Sequence, residues 1–207
     1  MIRVTVVGSG MALMEEATHI LGSRGRAHVA FNRAINRTGR TVGNEAGRLL
    51  SSQTGLPKRT GPKALRRKVE RSTPQTLAYT ITAEGGDIGL KYFKPRETAM
   101  GVSAAPRNSR AVYVGSFMRA GWWPERVNKP NWNGQVFYRI GDGHSYAGLK
   151  SRGAKRTGTK FAKAKSGVLI PQEVMQGAVA SAWRDGARRL QPRIEHEVRV
   201  MTKGVVS

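Results

Sequence analysis

The chain has 207 residues, 39% of them hydrophobic, and carries 36 Lys and Arg against 13 Asp and Glu, a net charge of +23. That length can bury a core without covalent staples, and the absence of cysteine excludes disulfides and thiolate metal sites. No stretch approaches the ~18 consecutive apolar residues of a membrane span, and His19, His28, His144 and His196 are too scattered to suggest a metal site. A compact chain with this charge repels itself. A polyanion, an acidic partner ring or anionic lipid would relieve the repulsion. Nucleic acid is the commonest such partner, because each neutralised phosphate releases counterions. A merely solubilising surface needs far less charge.

Residues 2–7 alternate apolar with polar before running apolar, and then meet Gly8-Ser9-Gly10, the pattern of a strand and a turn. The run is too short and too polar for a signal peptide. A short helix is predicted over 11–21, broken by Gly22, Arg24, Gly25 and Arg26.

The clearest element spans 27–53. Phe31, Ala34, Ile35, Thr38, Val42, Ala46 and Leu49 recur at helical steps. At about 100° per residue, Arg26, Arg33, Arg37, Arg40, Asn44 and Arg48 share the opposite side. Two readings fit that line of guanidinium groups: a solvated helix surface, or a surface turned towards DNA or an acidic subunit. Gly39, Gly43 and Gly47 each weaken the helix by about 1 kcal/mol relative to Ala, and their spacing would permit close approach of another backbone. Gly55 and Pro57 end it. A short basic helix is predicted within 58–71, with Pro62 in its first turn, Leu65 and Val69 as an apolar pair, and Arg66, Arg67 and Lys68 as candidate polyanion contacts.

From residue 75 the period becomes two. Leu77, Tyr79, Ile81 and Ala83 alternate with polar residues, Gly85-Gly86 makes a turn, and Ile88, Leu90, Tyr92 and Phe93 continue as strand. Further strands are predicted over 100–104, 111–118 and 135–140, giving an antiparallel sheet. Between them, 119–133 is irregular and holds Trp122, Trp123 and Trp132. These either pack over the sheet edge or form a subunit interface, where Trp is enriched. Residues 142–166 carry Lys150, Arg152, Lys155, Arg156, Lys160, Lys163 and Lys165 with few apolar residues. That composition predicts a flexible basic loop that orders on a partner or touches phosphate without sequence preference. A strand over 167–171 follows, then a helix over 172–190 with Trp183, Ala187 and Leu190 on one face. Pro192 kinks it or starts a second helix that carries Ile194, Val198 and Met201.

The expected fold is therefore α+β: a long N-terminal amphipathic helix and a C-terminal helix packed on a small antiparallel sheet, with a basic flexible loop. An N-terminal extension covers 1–25, and one domain covers 26–207, with a Trp-rich insertion at 119–133 and the loop at 142–166. No arrangement suggests catalysis. Carboxylates are few and scattered, and Gly8-Ser9-Gly10 is too short for a phosphate-binding fingerprint. Asp142-Gly-His-Ser145 reads as a turn, since neighbours in sequence cannot normally take triad geometry. The aromatics do not interleave with the basic runs as a base-stacking platform requires. No enzyme activity, cofactor or metal is expected.

The order of several segments carries a resemblance. His28-Val-Ala-Phe-Asn-Arg-Ala-Ile-Asn-Arg37 leads to Thr54-Gly-Leu-Pro-Lys58 and Ala64-Leu-Arg-Arg-Lys-Val69. Then come Ser116-Phe-Met, Gly134-Gln-Val-Phe-Tyr-Arg139 and Gly167-Val-Leu-Ile-Pro-Gln-Glu-Val-Met175 ahead of a C-terminal helix. Between about residues 26 and 202 this resembles the prophage minor tail protein Z family, the tail-completion proteins of long-tailed bacteriophages. The first 25 residues and the Trp-rich insertion fall outside the family pattern. The resemblance implies a structural virion protein, made in the host cytoplasm and placed at the tail top or head–tail junction. It also implies a ring, with a hexamer matching such tails, that contacts tail-terminator, tail-tube or connector proteins. No catalytic residue is carried over. From clustering, Arg33, Arg37, Arg40 and Arg48 with Lys155, Arg156 and Lys160 are expected to face DNA or another polyanion. The alternative from composition is a free-standing nucleic-acid-binding protein without sequence preference.

Overall fold

The computed structural model describes residues 2–6, 11–21, 25–140 and 160–202. The chain is α+β, with a long N-terminal helix, C-terminal helices and small antiparallel sheets. Although the sequence marks no boundary within 26–207, the chain folds as two compact units. The first comprises Met1–Gln53, Lys58–Gly85 and Ile170–Ser207. The second comprises Thr54–Pro57 and Gly86–Leu169.

In the first unit, strand β1 (Ile2–Val6) precedes helices α1 (Met11–Leu21), α2 (Arg26–Thr54) and α3 (Thr60–Leu65). Strands β2 (Val69–Glu70) and β3 (Tyr79–Ala83) follow, and helices α4 (Ile170–Val174), α5 (Gly177–Arg188) and α6 (Leu190–Met201) complete the unit. The sheet order is β1-β3-β2, all antiparallel, and Ile81 stands opposite both Val4 and Val69. All five residues of β3 are buried, including Thr80 and Thr82. The alternation in sequence suggests one wet face, but a central strand covered on both faces has none.

Helix α2 begins after Gly25 and stops at Gly55, both left-handed (φ 69° and 76°), conformations that glycine takes at little cost. Its packed side is Phe31, Ala34, Ile35, Val42, Ala46 and Leu50, all buried, with Leu49 only half-buried. The glycine ladder is where α2 meets its neighbours. A Cβ on Gly39 would enter the Tyr79 ring, and one on Gly43 would lie 2.9 Å from Ile81 Cδ1. One on Gly47 would lie 2.7 Å from Pro62 Cα. Close backbone approach is thus met at Gly47, whereas β3 side chains fill the space at Gly39 and Gly43. Asn36 locks α2 to the strand region: its Nδ2 donates to Ser72 O (2.9 Å) and its Oδ1 accepts from Ser72 N (3.1 Å).

Three local expectations for this unit are corrected. Val69 does not continue α3. The helix ends at Leu65, and Val69 pairs with β3, the conformation its β-branched side chain favours. The helix expected over 172–190 is two elements: α4 ends at Val174, and α5 starts at Gly177 (φ 60°). There Gln53 Nε2 donates to the buried Glu173 at both its carbonyl and its carboxylate, each at 3.0 Å. The buried face of α5 is Val179, Ala182, Trp183 and Gly186, and Ala187 is exposed. Gly186 is needed because a Cβ there would enter the Val42 side chain. Pro192 lies in the first turn of α6, where its missing N–H is tolerated.

The second unit is built from strands β4 (Asp87–Gly89), β5 (Arg96–Glu97), β6 (Gly101–Ala104) and β7 (Ala111–Val114). To these it adds β8 (Ser116–Phe117), β9 (Phe137–Ile140), β10 (Lys160–Lys163) and β11 (Lys165–Leu169). They pair antiparallel as β5-β6-β7, β10-β9-β8 and β11-β4. The strand expected over 111–118 is split at Gly115 (φ 72°). The strand character expected through 90–93 gives way to a 3-10 turn at Leu90–Tyr92, which lets both Leu90 and Phe93 be buried. The end of the expected basic loop, 160–166, holds β10 and the start of β11 instead, and β11 carries on through the expected strand to Leu169. Residues 170–171 open α4 rather than close a strand. The remainder of the expected loop, 142–159, lies outside the described residues.

Candidate polyanion interface

Helical periodicity places the α2 arginines, and the structure leaves Arg33, Arg37, Arg40 and Arg48 exposed on the side away from the packed face. None of the four has a carboxylate within ion-pair distance among the described residues. The acid of that helix, Glu45, pairs instead with Arg189 at 2.8 Å. That bond, ahead of the plain charge attraction, raises the Arg189 pKa further.

The basic segment after α2 divides by function. Arg66, at the C-terminal cap of α3, donates from Nη2 to Asn44 Oδ1 at 2.8 Å. Arg67 is exposed. Lys68 is ion-paired at the surface, its Nζ lying 2.6 Å from Glu84 Oε1. Lys68 is therefore a weaker candidate than its position in the run suggests. Two other residues join the site without having been singled out for it in sequence. Arg71, at the end of the same basic run, and Tyr79, in β3, border a groove of about 450 Å³ together with Arg40 and Arg66. Arg71 belongs to a visible charge run, but only the pairing of β2 with β3 places it beside Arg40, far away in sequence. The Tyr79 phenol is pushed above its usual pKa by burial, against the opposing pull of Arg71, Arg40 and Arg66.

The structure brings Arg40, Arg66 and Arg71 together at this groove, while Arg33, Arg37 and Arg48 remain on the open face of α2. Lys155 and Arg156 lie outside the described residues. Lys160 opens β10. Guanidinium groups present flat, forked sets of donors that match phosphate and carboxylate oxygens and keep their charge at any working pH. No group of three His, Cys, Asp or Glu side chains suited to a metal occurs among the described residues. No helix among them is long and apolar enough to cross a membrane.

The candidate interface tryptophans separate into two kinds. Trp132 packs edge-on against Phe117, Phe137 and Phe161, with ring centroids at 5.9, 5.2 and 6.3 Å. Trp122 is 77% exposed, and the Arg139 guanidinium stands 5.0 Å from its ring centre. Trp123 is 49% exposed. Local packing over the sheet therefore describes Trp132, while Trp122 and Trp123 present apolar surface to solvent. Below them, Glu97 is held by Arg126 at 2.5 Å and accepts the Met118 N–H at 3.1 Å, anchoring the insertion that carries the exposed pair.

No family model, curated protein or solved structure matches the chain.

Proposed function

We propose that this chain is a non-enzymatic structural virion protein of a tailed bacteriophage, a tail-completion or head–tail joining subunit that contacts neighbouring rings and faces DNA with its basic side. The observation that carries the polyanion half of this reading is the exposed guanidinium row of α2, which lacks carboxylate partners among the described residues in a chain of net charge +23. Unpaired surface charge of one sign creates a field that a polyanion or acidic ring relieves. The assembly half is supported by the order of segments that resembles the prophage minor tail protein Z family. The exposed Trp122 and Trp123 supply the kind of side chain that subunit interfaces favour.

The test is purification of phage particles that carry the gene for this chain, followed by symmetry-resolved electron microscopy. Density for the chain in a ring at the tail top, with α2 towards the channel, is the expected result. A chain missing from particles that binds duplex DNA alone in solution would replace this reading with a free nucleic-acid-binding protein. In that case a steep fall of affinity with salt is expected.

A further inference from the structure

Resting on the polyanion reading above, we propose that the groove bordered by α2, α3 and β3 seats a single backbone phosphodiester of nucleic acid, with the adjoining sugar against its apolar floor. Three arginines reach its rim from separate segments: Arg40 from α2, Arg66 from the end of α3 and Arg71 from beyond β2. Among the described residues no carboxylate pairs with any of them. Folding therefore gathers like charges at one place, and a bound anion offsets that repulsion.

The geometry suits a phosphodiester better than a diffuse cloud of counterions. Asn44 accepts one N–H of Arg66, which fixes the plane of that guanidinium and leaves its remaining donors for an oxyanion. The floor is formed by Leu65, Val69, Ile81 and the ring of Tyr79, a surface that water wets poorly and the carbon face of a sugar can cover. A volume of about 450 Å³ holds both groups. The Tyr79 phenol, ordinarily neutral below about pH 10, adds no negative charge to repel the ligand. Contacts of this kind fix position on nucleic acid and carry no sequence information.

The experiment compares binding of a short random-sequence DNA duplex by the whole chain and two charge-matched double variants across a salt series. Arg66→Gln/Arg71→Gln removes two of the three rim arginines, and Arg184→Gln/Arg199→Gln removes equal charge from exposed positions on α5 and α6. Circular dichroism checks that each variant keeps its helices. The rim variant is expected to lose about tenfold or more in affinity and to flatten the slope of log K against log salt by about 0.9, one phosphate contact. The control is expected to stay near wild type. Equal losses in both variants would overturn the seat and leave the polyanion reading standing. A wild-type chain that does not bind the duplex would remove the DNA contact and this proposal together. Displacement of the duplex by inorganic phosphate at constant ionic strength would assign the groove to a free anion and overturn the phosphodiester.

Discussion

Gly47 weakens α2 by its own conformational freedom, yet its missing side chain is what admits Pro62. The two effects have opposite signs, and their magnitudes decide the outcome of Gly47→Ala. Alanine gains about 1 kcal/mol in helix propensity. Its Cβ would stand 2.7 Å from the Pro62 Cα, and backbone cannot yield as a flexible side chain can, so overpacking costs about 1–3 kcal/mol. A net loss is expected, read as a lower urea midpoint with unchanged slope. A raised midpoint would mean that α3 moves freely and the propensity gain stands alone. Tyr79 makes a prediction in pH. Its folded pKa lies above the ordinary phenol value because of burial, so the folded state holds the proton more tightly than the unfolded chain. The associated stability is complete below about 10 and falls as pH rises past it. Tyr79→Phe should flatten this alkaline decline, measured by denaturant titrations across the window. A residual decline is expected from Tyr113, whose pKa is raised by burial and by Asp87.

At the scale of elements, α2 has one face committed to packing and one to charge, and substitutions should respect that division. Asn36 lies between the two faces and satisfies both backbone groups of Ser72. Asn36→Ala leaves a part-buried N–H and C=O without those partners, a loss of about 1–3 kcal/mol in unfolding free energy. Substituting the exposed Arg33 should change stability by less than about 0.5 kcal/mol. The aromatic cluster of the second unit gives a parallel contrast. Trp132→Ala removes a ring from contact with three Phe rings and should lower stability by about 2–4 kcal/mol. Trp122→Ala, at 77% exposure, should leave stability almost unchanged and reduce co-assembly with particles. If both variants unfold alike, Trp122 is a packing residue and not an interface residue.

For the whole molecule the governing quantity is the net charge of +23. Self-repulsion lowers the stability of the compact state, so a polyanion bound only by the folded chain should raise its melting temperature. At a duplex concentration of about a hundred times Kd, the gain is about 2.7 kcal/mol. The gain should shrink as salt rises, because added salt both weakens binding and screens the self-repulsion. Stabilisation that persists at high salt would point to an apolar partner surface instead of a charged one.

The sequence by itself determined the α+β class, the span of α2, the glycine stops around it and the side on which Arg33, Arg37, Arg40 and Arg48 stand. All of these follow from local periodicity and backbone preference, which act over a few residues. It also marked the unusual glycine spacing, though not what would fill it. Only tertiary structure decided that Val69 joins a sheet, that Lys68 is spent on Glu84, that Trp132 packs while Trp122 does not, and that Arg71 and Tyr79 belong beside Arg40 and Arg66. The reason is the same in each case. A strand's partner, an ion pair across a turn and a groove lined by three segments are contacts between residues distant in sequence, and no periodicity along the chain encodes which distant residue will arrive.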